Sequence, residues 1–233
     1  MDVENNYNLE EIIKMYSKEV FSKHDYKLNY AIEYPDGFSK NKKYPVLFNF
    51  HGMGEVPGNI DIVLENCPLK RERLTSDMPF IFVVPACGMD YTWFQNFNYV
   101  IDFMKSIIEM EYVDEDRVYL SGHSMGGYTA WTMAFVHPEL FAAAIICSGG
   151  GLYAGVRDRI KFPVRAIHGT EDTTVLFRES EMMVESINRA GGQAELIPME
   201  GYDHNVWRDY FDRVEPYEWL LKHRRQKIDF SLS

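Results

Sequence analysis

The stretch RVYLSGHSMGG, residues 117–127, decides the fold of this chain. It begins with a short run that predicts a β-strand, and the apolar pattern from Met125 to His137, ended by Pro138, predicts a helix. Between them, Gly122-His123-Ser124-Met125-Gly126 fits G-x-S-x-G, a sharp turn that projects a serine hydroxyl above a sheet edge. The glycines leave room for the strand and the helix to approach, so Ser124 is the predicted nucleophile.

Outward from this turn, short apolar runs alternate with helical patterns. Such alternation indicates the α/β class: a mostly parallel sheet with helices on both faces. We expect one domain over residues 1–233, with Tyr26–Tyr34 as an antiparallel edge strand. Residues 1–25 are undecided, since Leu9–Phe21 fits a helix or a strand. The predicted strands are Tyr44–Phe50, Phe80–Val84 (ended by Pro85), Arg117–Leu120, Phe141–Cys147, Pro163–His168 and Ala194–Met199, and the other predicted helices cover Phe97–Ile108, Leu176–Ala190 and Tyr217–Arg225.

A serine hydroxyl needs a base, and four histidines follow Ser124 in the chain. His137 ends a helix, His168 ends an apolar strand and is expected to pack or hold a loop, and His223 lies in a basic tail. His204 follows the last predicted strand, at the carboxyl edge where sites of open α/β sheets form. The sequence therefore favours His204 as the general base.

The carboxylate that orients the base is expected in the loop after the strand that ends near His168. Gly169-Thr170-Glu171-Asp172 offers two candidates. Asp172 is preferred because it lies deeper in the loop, and Glu171 is the alternative. The alternative role for Asp172 is purely structural, as the N-cap of the helix that follows. Asp203 adjoins His204, and side chains of sequence neighbours rarely face each other well enough for this bond.

Acyl transfer also requires hydrogen-bond donors for the developing oxyanion. The backbone N–H of Met125, directly after the nucleophile, is one candidate. The loop after the strand Tyr44–Phe50 contains His51 and two glycines, and the N–H of Met53 is the second candidate. His51 is expected to brace this loop. The alternative to an oxyanion loop at this position is an ordinary glycine turn.

Five motifs carry a family resemblance: HGMGE (51–55), PAC (85–87), DRVYLSGHSMGG (116–127), HGTED (168–172) and HNVW (204–207). The chain resembles the esterase and polyhydroxybutyrate-depolymerase-like branch of the α/β-hydrolases. That branch includes feruloyl and acetyl esterases, dienelactone-hydrolase-like enzymes and phospholipase/carboxylesterases. The resemblance spans Tyr44 to Arg225, and Val56-Pro57 departs from it. It implies the α/β-hydrolase fold, a triad of Ser124, Asp172 and His204, and oxyanion donors at Met53 and Met125.

The segment Ser148–Phe162 is too short for a large lid domain, so an open site is expected. Such a site suits short-chain or aryl carboxylic esters, for example acetyl or hydroxycinnamoyl esters. Trp93 and Trp207 are candidate walls for the substrate, with a core position as the alternative for both. The segment Met53–Phe80 could form a flap that lines a groove with its apolar residues Ile60, Ile62, Val63 and Leu64.

Other functions are weighed against ester hydrolysis. One alternative is a small serine peptidase, although peptidases of this fold generally carry an additional domain. Another is a lipase or phospholipase, which needs an enclosing apolar surface. A non-enzymatic binding module would be expected to lack a member of the triad. The mechanism requires no metal and no organic cofactor. The expected partner is a small-molecule or oligosaccharide ester.

Composition narrows the partners and the compartment. The formal net charge of −11 repels nucleic acid and anionic membrane surfaces. Three cysteines in no metal-ligand spacing suggest reduced, mostly buried thiols. The polar N-terminus has no signal-peptide pattern, so a cytoplasmic location is expected.

Overall fold

A computed structural model describes residues 16–55, 59–69, 78–88, 92–155 and 159–226. Its eight strands form one sheet in the order β1-β2-β4-β3-β5-β6-β7-β8. The β1–β2 and β2–β4 pairs are antiparallel, and all others are parallel. The strands are β1 Ser17–Lys23, β2 Tyr26–Glu33, β3 Tyr44–Phe50, β4 Ile81–Ala86, β5 Val113–His123, β6 Ala143–Cys147, β7 Val164–Gly169 and β8 Ala194–Met199.

Helices cover both faces of this sheet. They are α1 Ile60–Asn66, α2 Phe97–Ile108, α3 Met125–Val136, α4 Phe177–Arg189, α5 Trp207–Phe211 and α6 Glu215–Leu221. One core layer packs α2, α3 and α4 against the sheet through residues such as Val100, Trp131 and Met183. The other layer packs α1, α5 and α6 through residues such as Leu64 and Tyr217. This arrangement is the predicted α/β-hydrolase architecture.

Several predicted element bounds differ from the structure. Tyr26–Tyr34 is wrong as an edge strand, because Ser17–Lys23 pairs along its outer side and forms the edge instead. Pro85 does not end β4, since it pairs with Tyr30 of the antiparallel neighbour, beyond the last residue paired with β3. Leu9–Phe21 falls partly on residues outside the described ranges, and its described end is strand.

The carboxyl-terminal part holds two short helices where one was predicted. Helix α5, Trp207–Phe211, was not predicted, and α6 ends at Leu221, before the predicted end at Arg225. Both helices turn their aromatic residues into the core, so burial of Tyr210 and Tyr217 sets their positions.

The connection between β6 and β7 bears on the expected open site. Between β6 and β7 the described residues form one 3₁₀ turn, Tyr153–Gly155, and no lid domain. The segment Met53–Phe80, considered as a possible flap, lies partly outside the described residues; within them, Val63 and Leu64 are buried against the sheet and do not line a groove. None of the helices in the described ranges is long and apolar enough to cross a membrane.

Candidate active site

The turn at Ser124 joins β5 to α3 and holds the serine in a rarely populated backbone conformation. Its φ is +54° and its ψ is −122°. The Ser124 N–H donates to the carbonyl of Cys147 in the neighbouring strand, at 3.1 Å. A Cβ on Gly126 would stand 1.9 Å from the carbonyl oxygen of Phe50, and one on Gly122 2.3 Å from that of Gly126. Only glycine fits at these two positions, which explains the local sequence of the turn.

The structure brings Ser124, His204 and Asp172 into one hydrogen-bonded line. The Nε2 atom of His204 lies 2.9 Å from the Ser124 hydroxyl oxygen, and its Nδ1 atom lies 2.7 Å from Oδ2 of Asp172. With the ring proton on Nδ1, His204 donates to the carboxylate and presents a lone pair to the serine hydroxyl. This geometry permits proton transfer from Ser124 to His204.

The Asp172 carboxylate is held by the loop that carries it. Its Oδ1 atom accepts bonds from the backbone N–H groups of Thr174 and Val175, at 2.8 and 2.9 Å. Burial alone would raise the pKa of Asp172, but the bonds from His204 and from these two N–H groups bring it below its usual value. Asp172 is therefore ionised at neutral pH. It is not the N-cap of α4, because Leu176 occupies that position.

The alternative carboxylates lie elsewhere. Glu171 is exposed to solvent. Asp203 accepts a bond from the backbone N–H of Asn205, at 3.1 Å, and so stabilises the His204 loop. Among the described residues, Asp172 is the carboxylate that contacts His204.

His168 lies beneath the Asp172 loop and holds it, as the sequence indicated, but its contact with the Asp172 carboxylate was not predicted. Its Nε2 atom lies 2.8 Å from the Val175 carbonyl and 3.2 Å from Oδ2 of Asp172, while Nδ1 lies 2.8 Å from the Ser180 hydroxyl. Burial lowers its pKa, so the ring is neutral at pH 7. The spacing of His168 and Asp172 within HGTED is the signal that could have suggested this contact.

The loop after β3 forms the other side of the site. It continues as a 3₁₀ turn, Met53–Glu55, in which the Met53 side chain is 53% exposed. His51 braces this loop: its Nδ1–H donates to the Gly52 carbonyl at 2.7 Å, and its Nε2 accepts from the Cys87 N–H at 2.9 Å. Burial lowers the pKa of His51 to about 4, so the ring is neutral at pH 7, and the two hydrogen bonds set its tautomer. Met125 begins α3 and is buried beside the nucleophile.

A buried carboxylate and a buried histidine underlie the same loop, and sequence analysis did not identify this pair. Oε1 of Glu55 lies 3.2 Å from Nε2 of His123, and the Gly52 N–H approaches the same nitrogen at 3.1 Å. Burial would raise the pKa of Glu55, but the His123 bond lowers it on balance. The His123 ring stacks on Trp207 at 4.1 Å, and Trp207 meets the ring of His204 edge-on at 5.6 Å. These contacts connect the loop after β3 with the loop that carries His204.

A cavity of about 240 Å³ opens above Ser124. Met53, a predicted oxyanion donor, and Trp207, a predicted wall residue, both line it. Trp93 does not: its side chain is 1% exposed, its Nε1–H donates to the His51 carbonyl at 3.1 Å, and its ring packs on Phe50. Trp93 therefore belongs to the core that supports the loop. The cavity is lined by Gly52, Met53, Gly54, Glu55, Asn66, His123, Ser124, His204, Asn205, Trp207 and Arg208.

Within the described ranges, no cluster of three histidine, cysteine, aspartate or glutamate side chains is arranged to hold a metal ion.

Comparison with known proteins supports the α/β-hydrolase fold of this chain. The sequence pattern of the prolyl oligopeptidase family matches residues 94–150, which include the turn at Ser124. The bifunctional acetylxylan esterase/xylanase XynS20E of Neocallimastix patriciarum is 31% identical over 147 residues, which cover 59% of this chain and 20% of that protein. The protein named probable feruloyl esterase C of Aspergillus terreus is 28% identical over 203 residues, 82% of this chain and 73% of that protein.

A solved structure extends the likeness to the whole fold. The crystal structure of a thermostable esterase superposes with a TM-score of 0.84 at 27% identity, covering 92% of this chain and 64% of that one. The chain thus spans a fifth of the bifunctional enzyme and under two thirds of this esterase. Together the comparisons support the esterase branch of the α/β-hydrolases that the motifs resemble.

Proposed function

We propose that this chain is a serine ester hydrolase with Ser124 as nucleophile, His204 as general base and Asp172 as the carboxylate that orients the base. One observation carries the proposal: the unbroken line of hydrogen bonds from Ser124 through His204 to Asp172 at the mouth of a cavity. Ester-hydrolysing relatives support the reaction class.

The proposed reaction proceeds in two acyl transfers. The Ser124 oxygen attacks the ester carbonyl while Nε2 of His204 takes the hydroxyl proton, and the carbonyl oxygen becomes an oxyanion. The backbone N–H groups of Met53 and Met125 stabilise this oxyanion. Collapse expels the alcohol, which takes the proton from His204 and leaves an acyl group on Ser124. Water, deprotonated by His204, then releases the acid by the same route.

The proposed substrates are short-chain or aryl esters of small molecules or oligosaccharides, such as acetyl or hydroxycinnamoyl esters. The cavity volume of about 240 Å³ and the short connection between β6 and β7 support this size limit. A long acyl chain gains binding energy only where apolar surface encloses it. Trp207 offers such surface beside His204, on one wall of the cavity.

A serine peptidase is the second candidate, because the prolyl oligopeptidase pattern matches the segment around Ser124. The same triad chemistry would cleave an amide. Relatives with esterase names over 82% of the chain favour the ester. Assays on peptide 4-nitroanilides, run beside ester assays, separate the two activities.

The test of the proposed function uses 4-nitrophenyl acetate, 4-nitrophenyl butyrate and methyl ferulate. The parent protein should hydrolyse at least one of them, and Ser124→Ala should lower kcat by about 10⁴ or more. A fluorophosphonate probe should label the parent and leave Ser124→Ala unlabelled. Circular dichroism verifies folding of the variant. Full labelling of Ser124→Ala would show that the nucleophile is another residue.

A further inference from the structure

One wall of the cavity above Ser124 is polar and carries a cation. Asn66 of α1, together with Asn205 and Arg208 from the segment after His204, lines this wall. Asn205 and Arg208 are exposed, and Asn66 is half-buried. The chemistry of this wall therefore suits a polar group of a ligand.

Among the described residues, a hydrogen bond to Asn66 holds the Arg208 side chain in place. Its Nη2 atom donates to the Asn66 side-chain oxygen, and the Asn66 Nδ2 group donates to the carbonyl of Ile62, one turn earlier in α1, at 3.0 Å. The Arg208 side chain thus reaches from α5 to α1 along the cavity wall. A guanidinium has five N–H donors in a planar fork, so one bond to Asn66 leaves the others for a ligand.

The charge of Arg208 has no carboxylate partner within the described residues. Arg117 and Arg165, by contrast, donate to Asp114 and to Glu195 and Glu215 respectively. The absence of such a pair is notable in a chain with a formal net charge of −11.

The cavity also contains the carboxylate of Glu55, which must be distinguished from the Arg208 site. The Glu55 side chain is 8% exposed and lies against the buried His123 ring. It belongs to the floor of the cavity, while the exposed guanidinium of Arg208 belongs to the rim. Glu55 therefore pairs with His123 and not with Arg208.

We propose that Arg208 binds a carboxylate on the substrate, so that this hydrolase prefers esters that carry an anionic group. The inference rests on the proposed ester hydrolysis and names its substrate class. A guanidinium binds a carboxylate through two parallel hydrogen bonds, which gives direction as well as charge. The carboxylate can belong to the acid or to the alcohol of the ester, since both leave through the same open cavity.

The test compares carboxylate esters with neutral isosteres of the same shape. On the acid side, 4-nitrophenyl hemiadipate is compared with the 4-nitrophenyl ester of adipic monoamide. On the alcohol side, 3-carboxyphenyl butyrate is compared with 3-carbamoylphenyl butyrate. The parent protein should favour the carboxylate in at least one pair by about ten-fold in kcat/KM, the lower range for a charged hydrogen bond at an exposed site.

Arg208→Met should remove this preference, bringing the carboxylate-to-amide ratio close to one. Arg189→Met is the matched control, because it removes the same charge from an exposed residue of α4 that does not line the cavity. Its ratio should equal that of the parent. Added NaCl should lower the ratio of the parent protein, since salt screens an exposed charge pair.

The two proposals fail in different ways. If the neutral esters are hydrolysed and Arg208→Met and the parent show equal ratios in both pairs, the carboxylate proposal is wrong and ester hydrolysis stands. If no ester is hydrolysed, calorimetric titration of Ser124→Ala and of Ser124→Ala/Arg208→Met with the intact esters measures the preference without turnover. Equal binding of carboxylate and amide would then refute the Arg208 proposal as well.

Discussion

Replacing Asp172 by asparagine tests the candidate triad at its least exposed member. The carboxylate accepts from the Thr174 and Val175 N–H groups through Oδ1 and from His204 through Oδ2. An asparagine amide has one oxygen and one NH₂ group. The two backbone N–H groups require the oxygen, so the NH₂ group is left facing Nδ1 of His204.

This reversal forces the wrong tautomer on the base. When the amide donates to Nδ1 of His204, the ring proton moves to Nε2, which then points at the Ser124 hydroxyl and cannot accept its proton. We expect kcat for 4-nitrophenyl acetate to fall by about 10⁴, or about 5 kcal/mol of transition-state stabilisation. The two backbone bonds survive the substitution, and Nε2 of His168, which loses its 3.2 Å contact with Oδ2, keeps the Val175 carbonyl as a partner. The free energy of unfolding should therefore fall by only about 1–2 kcal/mol.

Steady-state kinetics and urea unfolding of Asp172→Asn measure both quantities. Glu171→Gln is the matched control, because it makes the same chemical change one residue earlier on an exposed side chain. Its kcat should equal that of the parent. The reasoning would be refuted if Asp172→Asn kept most of its activity while folded, or if Glu171→Gln lost as much.

Three other properties of the site can be measured: packing at the turn, stability in acid and acyl-chain preference. Gly126→Ala should lower the free energy of unfolding, measured with urea, by about 3 kcal/mol or more, because its Cβ would meet the Phe50 carbonyl at 1.9 Å. Gly54→Ala, whose Cβ would have no neighbour within 4 Å, should leave it nearly unchanged. Equal losses in the two variants would contradict the packing argument. The pKa of His51 is lowered to about 4 in the folded chain, so between about pH 6.5 and pH 4 the unfolded chain binds a proton at this residue and the folded chain does not. The free energy of unfolding should therefore decrease as the pH falls toward 4. Urea unfolding curves that coincide at pH 7 and pH 4.5 would argue against this. Finally, kcat/KM should decrease from butyryl to octanoyl esters, since each methylene gains about 0.8 kcal/mol only when enclosed; a continued rise through octanoyl would indicate a lipase-like tunnel.

Local sequence determined most of the architecture. The alternation of apolar runs and helical patterns predicted the α/β sheet, because the periodicity of side chains along a strand or helix is set by residues within a few positions of each other. Ser124 was predicted for a similar reason, because the G-x-S-x-G motif and the strand and helix patterns beside it are local. The structure adds why both glycines are needed: a Cβ on Gly122 would meet Gly126 within the turn, and one on Gly126 would meet Phe50 of β3. Chain order then indicated His204 and Asp172 as partners.

Element ends and edges were predicted less well, because they depend on neighbours in space. Pro85 continues β4 because its position lies past the last residue of this strand that pairs with β3. The pairing register of the two strands decides this, and the local sequence does not reveal that register. Strand β1 becomes the edge only because it pairs along β2.

The tertiary structure alone decided which distant side chains meet. Trp93 and Trp207 were equivalent candidates in the sequence, yet packing buries the first under His51 and brings the second to the cavity wall. Glu55 meets His123 across 68 residues, and Arg208 reaches Asn66 across 142. Such contacts follow from how the helices on one face of the sheet pack beside one another, which depends on the whole core and not on any short motif.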